Sequence, residues 1–173
     1  MNVFGNRITR FLSTPFNLKV SMSVPLFKNF IKKTKLNITL LSSEEETRTA
    51  AEAAKVHGVP VSNIVKSLVV KADDEFIIVL CPGDKKVDLK ALQDILDKES
   101  VRMANPFEVK EITGHSIGGV PPFGHKEPLQ TVIIPGFDSA EPLWAAAGAA
   151  DVNFQTTLAE LEGIVERVNN MLG

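Results

Sequence analysis

The segment from Ser62 to Leu80 constrains the fold most. Ser62-Asn63-Ile64-Val65-Lys66-Ser67-Leu68-Val69-Val70 is a β-branched, apolar run, and Phe76-Ile77-Ile78-Val79-Leu80 is a second one after Asp73-Asp74. Two such runs joined by a tight turn predict an antiparallel hairpin. Lys66 is the anomaly in the first strand. Strand alternation places it on one face with Leu68 and Val70, and places Ser67, Val69 and Lys71 on the other. One of those faces must therefore be wet near Lys66. An ammonium against an apolar wall loses hydration, so it needs an anion, a carbonyl or a pocket mouth beside it. The plainer reading is a lysine at the first residue of the strand, snorkelling to water.

The segments around this hairpin alternate irregularly. Pro25 to Lys35 predicts a short helix with Leu26, Phe27, Phe30 and Ile31 on one side and Lys28, Lys32 and Lys35 opposite. Ser43 and Glu46 form a capping-box pattern ahead of an alanine-rich helix over Glu44 to His57, stopped by Gly58 and Pro60. A helix over Asp88 to Lys98 carries Leu89, Leu92, Ile95 and Leu96 inward. Val101 to Met103 reads as a short strand, and Pro106 opens a helix over Phe107 to Thr113 that ends at Gly114. Strands follow at Leu129 to Ile134, Leu143 to Gly148 and Val152 to Gln155, and Thr157 with Glu160 caps a last helix with Leu158, Leu161, Ile164, Val165 and Val168 on one face. Without a strict βαβ alternation, the pattern favours an α+β domain with a mixed sheet over a doubly wound fold.

Charge divides the chain. Its 173 residues carry a net charge of −2, so any binding of RNA must rest on a local basic patch. Such a patch exists at the start: no acid precedes Glu44, whereas Arg7, Arg10, Lys19, Lys28, Lys32, Lys33 and Lys35 do. Residues 1–24 read as an unstructured basic extension, open to interpretation as an organellar transit peptide, an arm touching RNA phosphates, or an over-extended start with Met22 as the true one. Residues 25–173 form the folded domain. No apolar run is long enough to cross a bilayer. With no Tyr and a single Trp144, aromatic residues are too sparse to favour an open base-stacking platform.

Candidate chemistry is equally sparse. Cys81 is the lone cysteine and reads as a small buried residue, and His57, His115 and His125 lack the spacing of a helical metal site. Asp84 and Asp88 suit turn and helix-cap roles, and His57 suits a helix-end dipole interaction. No metal or cofactor is expected. The stretch Ser116-Ile117-Gly118-Gly119-Val120-Pro121-Pro122-Phe123-Gly124-His125 is too broken for a helix or a central strand. Its glycine pair can turn consecutive N–H groups toward an oxygen and its prolines stiffen the wall, or it is simply a surface connection. His125 beside it is a hydrogen-bond donor, an acid or base, or a cap on the loop. A lysine and a loop of backbone donors suit a phosphate or an acyl carbonyl, and neither is a nucleophile.

Four segments together resemble the YbaK/prolyl-tRNA editing domain family of aminoacyl-tRNA deacylases, over roughly Glu45 to Ile164. They are Ala-Glu-Ala-Ala-Lys-Val-His-Gly-Val-Pro at 51–60, Ile64-Val65-Lys66-Ser67-Leu68, Leu80-Cys81-Pro82-Gly83-Asp84 with Val87-Asp88, and Gly118 to His125. The resemblance implies a single compact domain with a twisted, partly barrel-like mixed sheet flanked by helices. It also implies hydrolysis in trans of a mischarged tRNA bearing a small amino acid. Lys66 would be the principal functional side chain, anchoring the terminal nucleotide or the acyl group. Gly118 and Gly119 would supply backbone contacts to the reacting group. Ser67, Val120, Pro121, Pro122, Phe123, His125, Gly148 and Asn153 would border the aminoacyl pocket, and Asp151 falls near the last two. The partners implied are the aminoacylated 3′ end of tRNA, touched by Lys28, Lys32, Lys33 and Lys35, and an aminoacyl-tRNA synthetase, but neither a membrane nor DNA. The location implied is cytoplasmic, or organellar if residues 1–24 are a transit peptide. The competing readings are a non-catalytic tRNA- or synthetase-binding module of the same fold, and a Schiff-base enzyme using the Lys66 amine.

Overall fold

The hairpin is the axis of a seven-stranded mixed sheet. The computed structural model describes residues 23–44 and 47–172; most of the basic extension expected over 1–24, and Glu46 of the Ser43 capping box, lie outside them. Strands β2 (Ile64–Ala72) and β3 (Glu75–Pro82) pair antiparallel from Val65↔Pro82 to Ala72↔Glu75, across a turn in which Asp73 takes φ 51°. Lys66 is the third residue of β2 rather than its first.

Around this pair the order is β1 (Leu40–Ser42), β7 (Val152–Thr156), β6 (Leu143–Ala149), β2, β3 and β5 (Gln130–Ile133). The path ends at β1 and β5, so the sheet does not close. Strand β4 (Val101–Met103) adds to the far end of β2. The β2–β6 and β3–β5 pairs are parallel and the others antiparallel. The α+β architecture with a mixed sheet flanked by helices agrees with the sequence pattern.

Helix α1 (Ser23–Thr34) starts two residues before the expected Pro25 and turns its lysines outward. Its Phe27 is fully buried and meets the rings of Phe123 and Phe154, each at a centroid distance of 5.6 Å. Around these rings the main core gathers Val65, Val69, Ile78 and Leu80 from the hairpin, Val109 from α4 (Pro106–Thr113), and Leu161 and Val165 from α5 (Leu158–Asn170). The opposite face of the hairpin, with Val70, Ile77 and Val79, is covered by Leu92 of α3 (Leu89–Leu96), which Asp88 caps. Helix α2 (Ala50–His57) packs Ala53 and Ala54 against Ile64, forming a third, smaller cluster that Trp144 flanks.

Three points differ from the pattern read in the sequence. Helix α2 begins at Ala50 instead of Glu44, because Thr49 and Glu52 form the capping box. The residues before it extend the edge of β1: Ser43 N–H donates to the Asp151 carbonyl at 2.8 Å, and the Thr47 N–H and hydroxyl both donate to the Ala150 carbonyl. Second, β1 itself was not legible, since three residues without a periodic neighbour give no strand signal. Third, Ile95 is 76% exposed and does not face inward. At 100° per residue it lies beyond the stripe of Leu89, Leu92 and Leu96, and an eight-residue helix seats only that narrow stripe on the sheet.

Candidate functional site

The sheet is split beside Lys66. Pairing of β2 with β6 ends at Val65, and pairing with β4 begins at Val70. Between them no strand among the described residues covers this edge of β2. The Val69 carbonyl is turned to it, where it accepts Ala104 N–H at 2.9 Å. Antiparallel alternation therefore turns the N–H and carbonyl of Ser67 the same way, into the gap.

A cleft of about 280 Å³ occupies the gap. Val65, Val69, Ala104, Val109 and Val120 build its apolar part, and Lys66, Ser67, Gly118, Trp144 and Asn153 border it together with Arg48 and Thr49 at the start of α2. Ser67 Oγ and Asn153 Nδ2 are buried and make no hydrogen bond. An unpaired buried polar atom is costly, and a cleft that holds two of them is arranged for a ligand rather than for stability.

Lys66 Nζ donates to the Lys85 carbonyl, on the turn that follows β3. Cys81 lies directly across from Lys66 in the hairpin register, and its Sγ is 3.5 Å from the same carbonyl. Burial pushes the Cys81 thiol up, with the Lys66 charge opposing, so at neutral pH it stays protonated and is no nucleophile. Lys66 thus borders the cleft while its ammonium rests on one neutral acceptor that a substrate oxygen can replace.

The glycine-proline loop touches the cleft at only part of its length. Gly118, at φ 89°, and Val120 border it. Gly119 packs on the backbone of Ala149, where a Cβ would come within 2.8 Å. Its N–H donates to the Ser116 carbonyl at 2.9 Å and its carbonyl accepts Gly148 N–H at 3.0 Å. Gly148, at φ 105° in an irregularity of β6, is pressed in turn against the Ser23 carbonyl of α1. Pro121, Pro122, Phe123, His125 and Gly148 support the loop from behind and do not border the cleft. Phe123 joins the buried rings, and Thr131 Oγ1 donates to the Pro122 carbonyl at 3.4 Å.

His125 Nε2 lies 2.8 Å from the Pro121 carbonyl and so donates to it, capping the loop. Burial pushes this imidazole down to about 4, with the Pro121 carbonyl opposing; fully buried His115, 6.2 Å away between ring centres, is pushed by burial to about 4 as well. Both are neutral at pH 7. Lys28, Lys32, Lys33 and Lys35 lie exposed along and just after α1 and do not border the cleft. Among the described residues, no cluster of His, Cys, Asp or Glu could hold a metal, and no helix is long and apolar enough to cross a membrane.

Residues 44–164 match the family model of the aminoacyl-tRNA editing domain. The chain belongs to that family. This editing domain is 37% identical over 108 residues to the proline–tRNA ligase of Lactobacillus gasseri, a match that takes in 62% of this chain and 19% of the ligase. It therefore spans about a fifth of that relative's length. It is 33% identical over 119 residues to the protein YwhH of Bacillus subtilis, covering 68% of this chain and 75% of YwhH. Among solved structures, a candidate trans-editing enzyme for prolyl-tRNA synthetase superposes with a TM-score of 0.75 at 32% identity, over 84% of this chain and 93% of that one.

Several cleft residues escaped the reading of the sequence, Trp144 and Arg48 among them. Trp144 on β6 stacks face to face on His57 of α2, with ring centres 3.8 Å apart and planes 8° from parallel. Arg48 precedes the cap of α2 and has the look of an ordinary helix residue. Only the parallel pairing Ile64↔Trp144 brings the ring to the cleft, and no spacing in the chain signals it.

Proposed function

We propose that this chain is a trans-editing aminoacyl-tRNA deacylase that hydrolyses the ester of a tRNA mischarged with a small amino acid. The observation that carries the proposal is the cleft itself: a lysine ammonium at an apolar pocket, beside buried Ser67 and Asn153 groups that lack partners. An amino acid esterified to a ribose brings a polar ester and ammonium, and a side chain that the Val and Ala walls accommodate. Membership of the editing family supports the same chemistry.

Water supplies the attacking oxygen. The bond between the acyl carbon and the ribose oxygen breaks, releasing the free amino acid and the tRNA's terminal hydroxyl. Lys66 leaves the Lys85 carbonyl and holds the terminal nucleotide or the acyl group, offering positive charge where negative charge develops. Ser67, Gly118, Val120 and Asn153 contact the aminoacyl group, while Gly119, Pro121, Pro122, Phe123, His125 and Gly148 keep the loop in place. The partners are the aminoacylated 3′ end of tRNA and a prolyl-tRNA synthetase. The exposed lysines of α1 take tRNA phosphates, and the site of action is the cytoplasm.

The experiment is deacylation of tRNAs charged with alanine, serine, threonine, proline and cysteine by wild type and Lys66→Ala. Hydrolysis of one or two of them, lowered at least ~100-fold in the variant, is the expected result on the scale of a deleted charge-stabilising donor. Absence of hydrolysis by wild type above the spontaneous rate rejects the reading. Borohydride trapping of Lys66 with a carbonyl substrate would instead favour amine catalysis.

A further inference from the structure

We infer that Trp144, braced by His57, is the stacking surface for the terminal nucleobase of the RNA substrate. The inference rests on the deacylase reading for the identity of the ligand, and on geometry for its place.

Among the described residues that border the cleft, Trp144 is the one aromatic ring. The large phenylalanines nearest in the fold, Phe27, Phe30, Phe123 and Phe154, pack together in the main core instead. The His57 imidazole covers one face of the indole at 3.8 Å and 8°, which fixes the plane of the ring. Trp144 borders the cleft and is only partly buried, while it also packs against the Ala53, Ala54 and Ile64 cluster. A flat ring held rigid at the edge of a polar-mouthed cleft fits a flat ligand.

Its distance from Lys66 fits a nucleotide. Trp144 is the register partner of Ile64, and Ile64 and Lys66 stand two residues apart on the same face of β2. Two residues of strand span about 7 Å and one strand spacing about 5 Å, so the two main-chain positions lie roughly 8 Å apart. A ribose separates an ester on its hydroxyl from the base by a comparable length. With the ester at Lys66, the base of the same nucleotide comes to the indole. Stacking on an aromatic ring accepts any base, because each has a π face, and such contacts matter chiefly for binding.

The chain's single tryptophan makes the test direct. The unesterified trinucleotide CCA is titrated into the full-length protein while Trp144 emission is followed, and its inhibition of deacylation is measured in parallel. A saturable change in emission with the same midpoint as the inhibition is expected. Trp144→Leu should raise KM for aminoacyl-tRNA about tenfold or more with little change in kcat, and Trp144→Phe should recover most of the loss. Inhibition by CCA with no change in emission overturns the inference, and so does an unaltered KM in a folded Trp144→Leu protein. An emission change in a protein that hydrolyses no aminoacyl-tRNA supports the base site and rejects the deacylase reading alone.

Discussion

His115 is fully buried, and burial lowers its pKa against the opposing pull of the Gly124 and Gly148 main chain. Its folded pKa of about 4 lies below the ordinary 6.5, so between those values the unfolded chain binds more protons. Stability is complete above pH 6.5 and falls as the pH drops toward 4, by up to ~3 kcal/mol for this one group. Urea midpoints measured across that range should slope downward with acid. In His115→Gln the slope should shrink, with His125 and His57 supplying much of the remainder and the lowered carboxylate of Glu108 adding to it near pH 4. Gly119 carries a second prediction at this scale. A methyl group at its Cα would stand 2.8 to 3.0 Å from the Ala149 main chain, and main chain cannot rotate aside. Gly119→Ala should cost ~1–3 kcal/mol and lower deacylation by shifting Gly118 in the cleft. Measured unfolding free energy and kcat/KM check the two effects separately. Lys66 was legible as an anomaly from its neighbours alone. Its partner was not, because Lys85 reaches it only through the hairpin register and the turn after β3.

At the scale of elements, α1 is held to the sheet chiefly by Phe27. Phe27→Ala should cost ~3–5 kcal/mol, read by denaturant unfolding, because the hole opens between Phe123 and Phe154 where neither ring can close it. Helix α5 is pinned differently. The Asn169 side chain accepts Thr131 N–H at 2.9 Å and donates to the Thr131 carbonyl at 2.8 Å, acting as a strand partner for the edge of β5. Asn169→Leu leaves both main-chain groups unpaired and should destabilise by ~1–3 kcal/mol. It should also raise self-association by baring that edge, which light scattering would detect. Most elements were legible because period, cap and breaker agree, as in α4 with Asn105, Pro106 and Gly114. Where two caps competed, as with Ser43 and Thr49, local pattern did not decide. Hydrogen bonds from Ser43 and Thr47 to residues more than a hundred positions away did.

For the whole molecule, the net charge of −2 leaves RNA binding to local charge. Replacing Lys28, Lys32, Lys33 and Lys35 by Gln should weaken tRNA binding and flatten its dependence on salt, since a protein that neutralises fewer phosphates releases fewer counterions. Filter binding across a salt series is the measurement. A deacylation rate on saturating tRNA should change little, because these lysines stand apart from the cleft.

The amino-acid sequence by itself determined the hairpin, the helices with clear caps, the α+β class and the strand position of Lys66, because each depends on local periodicity and turn chemistry. Its motifs also carried the family. Only the tertiary structure decided that the sheet parts between Val65 and Val70, that Ser67 Oγ and Asn153 Nδ2 are left without hydrogen bonds there, and that Trp144 borders the cleft. These depend on which distant strands pair and where pairing stops, and that follows from packing the whole chain rather than from any one stretch of it.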